Sequence, residues 1–479
     1  MVKVLAIDAG TTGVTCLVLD GDEVIGRAYA EIEQHYPQPG WVEHDPQEIL
    51  DQVVAVGRQA CRDAAVRPSS LAAIGITNQR ETTVVWDDAG PIHPAIVWQD
   101  RRTDAACKAL APHRNLVRQK TGLELDAYFC ATKIAWILDN VPDARERAVA
   151  GELRFGTIDT WLAWCLTGRH VTDPTNASRT MLWDIHTSQW DPALLELFDV
   201  PSQVLPDVVP SSHVIGACPD FDGAPLAALV GDQQAALFGQ GATEAGQAKA
   251  TYGTGCFLLQ HTGNQAVASQ HGLLTTRAAS LDETPQYALE GSVFVGGAAI
   301  QWLRDGLQII DAAPEINDLA APSSEGVVVV PAFTGLGAPY WDGQARGAVL
   351  GIHRGTTKAH IARATLEAIA MQCDDVLRAM VQDSGVALPE LRVDGGASQS
   401  ERLMQLQADI SRVPVLRAAC VETTALGAGR LAALAVGGGA CNPKTGQGWV
   451  PSLKSEKAQA LRSRWDAAVQ ATRSFQPES

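Results

Sequence analysis

Short apolar runs separated by glycine-bearing turns dominate the first part of the chain. Val4 to Ile7, Val14 to Leu19 and Val24 to Ala30 are such runs, linked by the turns Asp8 to Gly13 and Asp20-Gly21-Asp22. The links are too short for a crossover helix, so the pattern predicts a meander of strands rather than a βαβ unit. Asp45-Pro46-Gln47-Glu48 reads as an N-cap with proline at the first helical position, opening a helix to about Cys61. Leu71 to Thr77 and Thr82 to Trp86 return to strand character, and Leu226 to Val230 reads as a short buried strand. Strands in a row, a helix, then strands again predict an α/β fold with a mixed sheet.

The second half repeats this logic. Ala248 to Tyr252 and Cys256 to Gln260 flank the turn Gly253-Thr254-Gly255, Val327 to Pro331 reads as a strand, and Pro331 to Gly347 as a Gly/Pro/aromatic loop. A long helix is predicted from about Lys358 to Asp383. Its stripe Leu366, Ile369, Cys373, Val376 and Met380 keeps helical spacing, and Ser384-Gly385 stops it. Leu391 to Val393 is a strand ending in Asp394-Gly395-Gly396, followed by helices over Glu401 to Ser411 and Thr424 to Ala435, the latter Ala/Gly-rich and able to pack closely. The polar tail after Gly437 reads as a loop plus a terminal helix over Ser455 to Thr472. Each half therefore carries a strand–Gly/Thr turn–strand unit. The boundary is placed where Gly239, Gly241 and Gly246 cluster, giving domains of residues 1–243 and 244–479.

Composition narrows the function classes. A chain of 479 residues is too long for one ordinary core, since domains run to about 100–200 residues. A formal charge of −17 disfavours nucleic acid or an anionic membrane as the main partner. A phosphate binder of this charge must work locally, through backbone N–H groups, metal ions and a few basic side chains. No apolar run approaches the roughly 18 residues of a membrane span, and the strand pattern at the N-terminus leaves no room for a signal peptide. The ten cysteines are scattered without CxxC pairs, which predicts reduced thiols in a cytosolic protein and no structural zinc site.

Three turns and one polar-aromatic set carry candidate chemistry. In Asp8-Ala9-Gly10-Thr11-Thr12-Gly13, the glycines permit tight or left-handed backbone. Successive N–H groups and the threonine hydroxyls can then form an anion-binding concavity, and Asp8 is placed to hold a hydrated Mg²⁺. Alone, the segment is equally a plain hairpin. Tyr252-Gly253-Thr254-Gly255-Cys256 has the same design, and Asp394-Gly395-Gly396-Ala397 ends a strand where a base or ribose could approach. An ordered set of three suits a nucleotide held between two related domains. Gly231-Asp232-Gln233-Gln234 puts a carboxylate and two amides at a strand end, a catalytic site or a common turn. Arg80 only donates and Glu81 only accepts, so the pair can bracket hydroxyls, or form a silent surface ion pair. Trp98 and Phe257 offer flat apolar faces, or simply pack in the core.

Longer strings resolve these alternatives by likeness. Phe129 to Ile137, and Gly347 to Ile352 with His360-Ile361 and Ala364 to Glu367, fit two signatures of the FGGY carbohydrate kinases, a family of the actin/hexokinase-type ATPase fold. Gly75 to Thr83, Trp98 to Arg102, Thr157 to Leu162, Thr175 to Met181, Gly231 to Gln240 and Pro331 to Asp342 resemble its glycerol-phosphorylating branch, and the likeness runs from residue 2 to about 437. The resemblance implies two actin-like (ribonuclease H-like) domains with mixed sheets flanked by helices, and an active-site cleft between them that closes on both substrates. It implies phosphorylation of glycerol by ATP with Mg²⁺, giving sn-glycerol 3-phosphate. Arg80, Glu81, Trp98, Tyr128, Asp232, Gln233 and Phe257 then surround glycerol, with Asp232 as general base. Gly10, Thr11, Thr12, Gly13, Thr254, Gly255, Gly297, Gln301, Gly396, Ala397 and Ser400 surround the nucleotide, and Asp8 holds the metal. A cytoplasmic homodimer or homotetramer is also implied.

The chain departs from the family pattern at three places. A basic residue is usual where it has Thr15, glutamine where it has Ala9, and asparagine where it has Ser400. Members inhibited by fructose 1,6-bisphosphate carry a Gly/Arg-rich loop before the catalytic strand; Cys218 to Gly223 is acidic and lacks arginine, which implies no such inhibition. His213 reads as an ordinary loop histidine. Two rival readings remain: a kinase for another small polyol or sugar, and a nucleotide-binding protein that has lost catalysis.

Overall fold

In the computed structural model, which describes residues 2–439 and 445–475, the first three apolar runs form the expected meander. Strands β1 (Lys3–Ala9), β2 (Gly13–Asp20) and β3 (Glu23–Glu31) pair antiparallel in order. Helix α1 (Pro46–Asp63) follows, with the Asp45 side chain accepting from the Gln47 N–H and Pro46 in the first turn. Strand β4 (Ala73–Asn78) then joins β1 in parallel. Strands β5 (Ser212–Cys218) and β6 (Ala224–Gly231) complete a mixed sheet in the order β5-β6-β4-β1-β2-β3. The second expected strand of this region, Val84–Asp87, pairs instead in a small sheet with Gly90–Pro91 and Arg154–Gly156.

Helix α2 (Asp232–Gly239) leads into the second half. There β7 (Ala248–Tyr252), β8 (Cys256–Gly263), β9 (Leu274–Arg277) and β10 (Tyr287–Val293) precede the long helix α3 (Lys358–Ser384), which ends on Gly385 in the left-handed conformation. Strand β11 (Leu391–Asp394), helix α4 (Glu401–Ser411), strand β12 (Val415–Ala418), helix α5 (Thr423–Ala435), strand β13 (Thr445–Trp449) and helix α6 (Ser455–Ser474) close the chain. The second sheet runs β9-β10-β8-β7-β11-β12-β13. Within it, β10-β8-β7-β11-β12 repeats the pairing of β3-β2-β1-β4-β6: an antiparallel meander, then two parallel neighbours. Two mixed sheets of one topology, flanked by helices, match the actin-type plan.

Two sequence readings need correction. The tail after Gly437 contains β13, an antiparallel edge strand on β12; its sequence, Thr-Gly-Gln-Gly-Trp, lacks the apolar alternation that marks a strand. His213 is not in a loop but lies on β5, exposed. The segment before β6 lacks arginine, as read from the sequence; Arg58 of α1 packs on it, with Nε and Nη2 donating to the Asp220 carbonyl at 3.0 and 2.9 Å. Among the described residues no helix is long and apolar enough to cross a membrane, and the nine described cysteines are free, seven of them buried.

Helix α5 fixes how the halves meet. It lies between β12 and β13 of the second sheet in sequence but packs on the first, where Ala428, Leu431 and Ala432 share a core with Val4, Ala73, Ala227 and Ala235. Small residues allow the contact. A Cβ on Gly427 would lie 2.0 Å from the Ala235 carbonyl oxygen of α2, one on Gly239 would lie 2.1 Å from the Thr423 oxygen, and one on Gly75 would lie 2.2 Å from the Ala428 oxygen. This close seam holds α2, and Asp232 at its start, in place. In an exposed helix, Gly427→Ala would gain about 1 kcal/mol from propensity. Here the overlap dominates, and we expect a net loss of about 1–3 kcal/mol, read as a lowered thermal unfolding midpoint; a raised midpoint would mean that the two helices can part freely.

Candidate active site

Strand β6 ends at Gly231 and α2 begins on Asp232, so the carboxylate stands at the first helical position. Residue 231 must be glycine, because a Cβ there would lie 2.7 Å from the Arg80 stem and 3.1 Å from Gln234 Oε1. Arg80 runs under the strand end, and its Nε meets Asp232 Oδ1 at 3.2 Å. The Gln233 backbone N–H donates to the same oxygen at 2.7 Å, and Gln233 Nε2 lies 3.4 Å from Oδ2. The Asp232 side chain keeps 29% of its surface exposed, so one side of the carboxylate stays open.

Arg80 and Glu81 are not a surface pair. Their side chains are 2% and 1% exposed and belong to a buried network of alternating charge. Glu81 Oε1 accepts from Arg179 Nε at 2.6 Å; Arg179 Nη2 donates to Glu290 Oε1 at 3.0 Å; Arg80 Nη1 donates to Glu290 Oε2 at 2.6 Å. Glu290 comes from β10, so the network joins the two halves. Burial alone would raise the Glu290 carboxyl, but Arg179 and Arg80 outweigh it and hold it down at about 2. For Glu81, burial dominates and raises the carboxyl against the pull of the same two guanidiniums. The Arg179 guanidinium lies 5.8 Å from the Tyr128 ring centroid and 5.2 Å from that of Phe129. Trp98 meets Tyr128 edge-on at 5.5 Å, and its Nε1 donates to Thr11 Oγ1 at 2.9 Å, tying this cluster to the first turn. Phe257 enters from β8, opposite Thr251 of β7.

Both Gly-Thr turns are closed by a backbone hydrogen bond between glycines, three residues apart in the first and two apart in the second. The Gly10 N–H donates to the Gly13 oxygen at 3.0 Å, and the Gly253 N–H to the Gly255 oxygen at 2.9 Å. Of the tight or left-handed backbone the glycines permit, the left-handed form is not used, since none of these glycines has a positive φ. They are needed for close approach instead: a Cβ on Gly13 would lie 2.5 Å from the Ala30 oxygen, and one on Gly255 would lie 2.5 Å from the Val293 oxygen. In each half the third strand presses on the end of the turn. Asp8, beside the first turn, is crowded by negative charge. Burial, then Asp232 and Glu422, push its carboxyl up to about 8. Thr15 sits directly opposite Asp8, with Tyr29 opposite Thr15. No cation therefore faces Asp8 from that strand.

A cavity of about 380 Å³ adjoins the second turn, with Thr254, Gly297, Gln301, Gly396, Ala397 and Ser400 in its lining. Gly396 faces open space, with nothing within 4 Å of a built Cβ. Asn317 also lines it, its Oδ1 accepting from Ser400 Oγ at 2.5 Å, so the short helix Ile316–Leu319 brings an amide to the place where the family pattern has one. Of the predicted residues, Arg80 and Gln233 touch Asp232 directly, Glu81 adjoins Arg80, and Trp98 and Tyr128 meet each other beside the first turn, while Thr254, Gly297, Gln301, Gly396, Ala397 and Ser400 share the cavity. Sequence reading missed Arg179, Glu290, Lys249 and Asn317. Arg179 lay inside a recognised string. Glu290 and Lys249 are charged residues in otherwise apolar strands, a pattern that signals a paired or functional group. Nothing local marked Asn317.

Comparison with known proteins follows this geometry. Residues 3–239 match the FGGY family of carbohydrate kinases, N-terminal domain, and residues 248–436 its C-terminal domain. The chain is 55% identical to a glycerol kinase of Deinococcus radiodurans, covering 99% of this chain and 98% of that protein. It is 53% identical to a glycerol kinase of Rhodopirellula baltica, covering 98% and 91%. The crystal structure of Plasmodium falciparum glycerol kinase with ADP matches it with a TM-score of 0.94 and 34% identity, over 100% of this chain and 99% of that one. A xylulose kinase from Lactobacillus acidophilus, 20% identical with a TM-score of 0.89, shares the fold.

Glu290 is the carboxylate on which both buried guanidiniums depend. Removing one partner from such a set costs about 3–5 kcal/mol, and we expect that loss for Glu290→Gln in urea unfolding at neutral pH. The sign with pH follows from its lowered carboxyl. The stabilisation is complete above the ordinary value of 4.5 and disappears as pH falls toward about 2. The gap between wild type and variant should therefore narrow over that window; a constant gap would remove the electrostatic explanation.

Proposed function

Because the chain belongs to the FGGY family of carbohydrate kinases, we propose that it transfers the γ-phosphoryl group of ATP to a terminal hydroxyl of glycerol, giving sn-glycerol 3-phosphate. The observation that carries this reading is the half-open Asp232 carboxylate, held by Arg80 and Gln233 beside a cluster of hydroxyl-binding groups. Asp232 accepts the proton as the hydroxyl oxygen attacks phosphorus in line; the new O–P bond forms as the bond to the ADP oxygen breaks. Such base assistance is worth about 10²–10⁴-fold, and positioning and charge neutralisation carry much of the rest. Arg80 and Glu81 bracket hydroxyls, Tyr128 can donate or accept, and Trp98 and Phe257 cover the carbon edge. Arg80 and Glu81 are locked by Arg179 and Glu290, so they meet a hydroxyl without first being ordered.

The nucleotide would lie along the two turns, with its phosphates on the N–H groups and hydroxyls of Thr11 to Gly13, folded over by the Gly10–Gly13 bond, and of Thr254-Gly255. Adenosine would fill the cavity beside Gly297, Gln301, Gly396, Ala397 and Ser400, with Asn317 offering its amide there. Mg²⁺ fits at Asp8, whose carboxyl is driven up by burial and by the charges of Asp232 and Glu422; a divalent cation relieves that crowding and, when bound, neutralises phosphate charge. A cytoplasmic homodimer or homotetramer, insensitive to fructose 1,6-bisphosphate, completes the reading.

The test is ADP release with Mg-ATP and glycerol, erythritol, xylulose, ribulose or no acceptor, in wild type and Asp232→Asn. We expect turnover with glycerol above all others and a loss of about 10²–10⁴ in kcat for the variant. Preference for a larger polyol would redirect the substrate assignment. A folded, ATP-stabilised protein without turnover on any acceptor would overturn the kinase reading.

A further inference from the structure

Lys249 has no part in the mechanism above, yet its side chain is fully buried in β7 at the edge of the site. A buried lysine normally meets a carboxylate. Among the described residues Lys249 forms no ion pair; its ammonium donates instead to Gln233 Oε1 at 2.5 Å and to Thr251 Oγ1 at 3.0 Å. Gln233 lies on α2 and Lys249 in the second sheet, so this contact also crosses between the halves. Burial lowers the lysine to about 8, while Asp394 of β11, Asp232 of α2 and Glu290 of β10 favour its charge and Arg80 opposes it. At neutral pH the group is therefore mostly an ammonium.

An ammonium has donors and no acceptor. The end of the Gln233 amide that faces it must be Oε1. Nε2 is then turned the other way, to within 3.4 Å of Asp232 Oδ2. The two ends of a glutamine amide are alike in size, and only their partners decide which way it points. Without Lys249, only the long 3.4 Å contact with Asp232 Oδ2 would favour that orientation.

We propose that Lys249 is a positioning residue for the acceptor alcohol: it locks the Gln233 amide with its NH₂ group toward the cleft, so that Gln233 donates to a glycerol hydroxyl oxygen next to the base that accepts from glycerol. This inference rests on the glycerol reading of the site. It makes the pair Asp232–Gln233 a fixed acceptor and a fixed donor side by side, the complement of adjacent hydroxyls. A site arranged in this way discriminates against analogues that lack one hydroxyl, because the buried donor is left unpaired.

The experiment measures kcat and KM for glycerol and for ATP in wild type, Lys249→Met, Gln233→Ala and the double variant. Lys249→Met should raise KM for glycerol about tenfold, the worth of one hydrogen bond, with KM for ATP within about twofold. The double variant should be no worse than Gln233→Ala alone, because Lys249 acts through that amide. Multiplying effects, or an unchanged KM for glycerol in Lys249→Met, would overturn the proposal. Gln233→Glu keeps the acceptor for Lys249 and deletes the donor, so it should lose glycerol affinity as Gln233→Ala does. A wild-type KM in that variant would overturn the proposal even where Lys249→Met does not fold. Wild-type protein without glycerol-dependent ADP release would instead overturn the glycerol reading itself.

Discussion

Two guanidiniums and two carboxylates buried together, Arg80, Glu81, Arg179 and Glu290, are the constraint around which the rest is arranged. Charges without solvent are tolerated only when each is paired and hydrogen-bonded. That condition draws Glu290 from the second sheet to Arg80 at the end of a strand in the first. It also leaves Arg80 with one direction free, along which it reaches Asp232. The orientation of the reactive carboxylate thus follows from the charge pairing beneath it.

The same demand explains the distribution of rigidity. Side chains proposed to touch glycerol are fixed from behind: Glu81 by Arg179, Tyr128 through its neighbour Lys133, whose Nζ donates to the Tyr128 carbonyl at 2.9 Å, and Trp98 by Thr11. Preorganised polar groups lose little entropy when substrate arrives and are more effective on developing charge than mobile ones. Asp8 is left in the opposite condition, with like charges near it and no cation on the facing strand. A residue in that condition is poised to take a positive ion rather than to pack.

Close backbone approach does for the scaffold what charge pairing does for the site. Gly13 and Gly255 let a third strand press on each Gly-Thr turn, and Gly239 and Gly427 let α2 and α5 meet almost backbone to backbone. The two turns are equivalent because the two sheets share one topology. Asp232 and Lys249 are not equivalent: one half supplies the carboxylate proposed as the base, and the other a buried lysine that donates to its neighbour Gln233. A duplicated scaffold has been made asymmetric by a few side chains.

The order of elements was readable from the chain alone. The meander, the capped helix from Pro46, the long helix ending at Gly385 and the helix over Glu401 to Ser411 all follow from local rules of periodicity, capping and turn chemistry. The strings around Asp232, Arg80 and the three glycine turns likewise pointed to the kinase family before any contact was known. Tertiary structure alone decided that Arg80 and Glu81 are buried, that Glu290 and Arg179 complete their set, that Asn317 stands beside Ser400, and that Lys249 holds Gln233. Most of these pairings join residues 83 to 210 positions apart, and that of Lys249 with Gln233 residues 16 apart. Local sequence encodes backbone conformation, which depends on near neighbours. Burial and charge pairing depend on which distant segments the two sheets bring together, and that is settled only when the chain has folded.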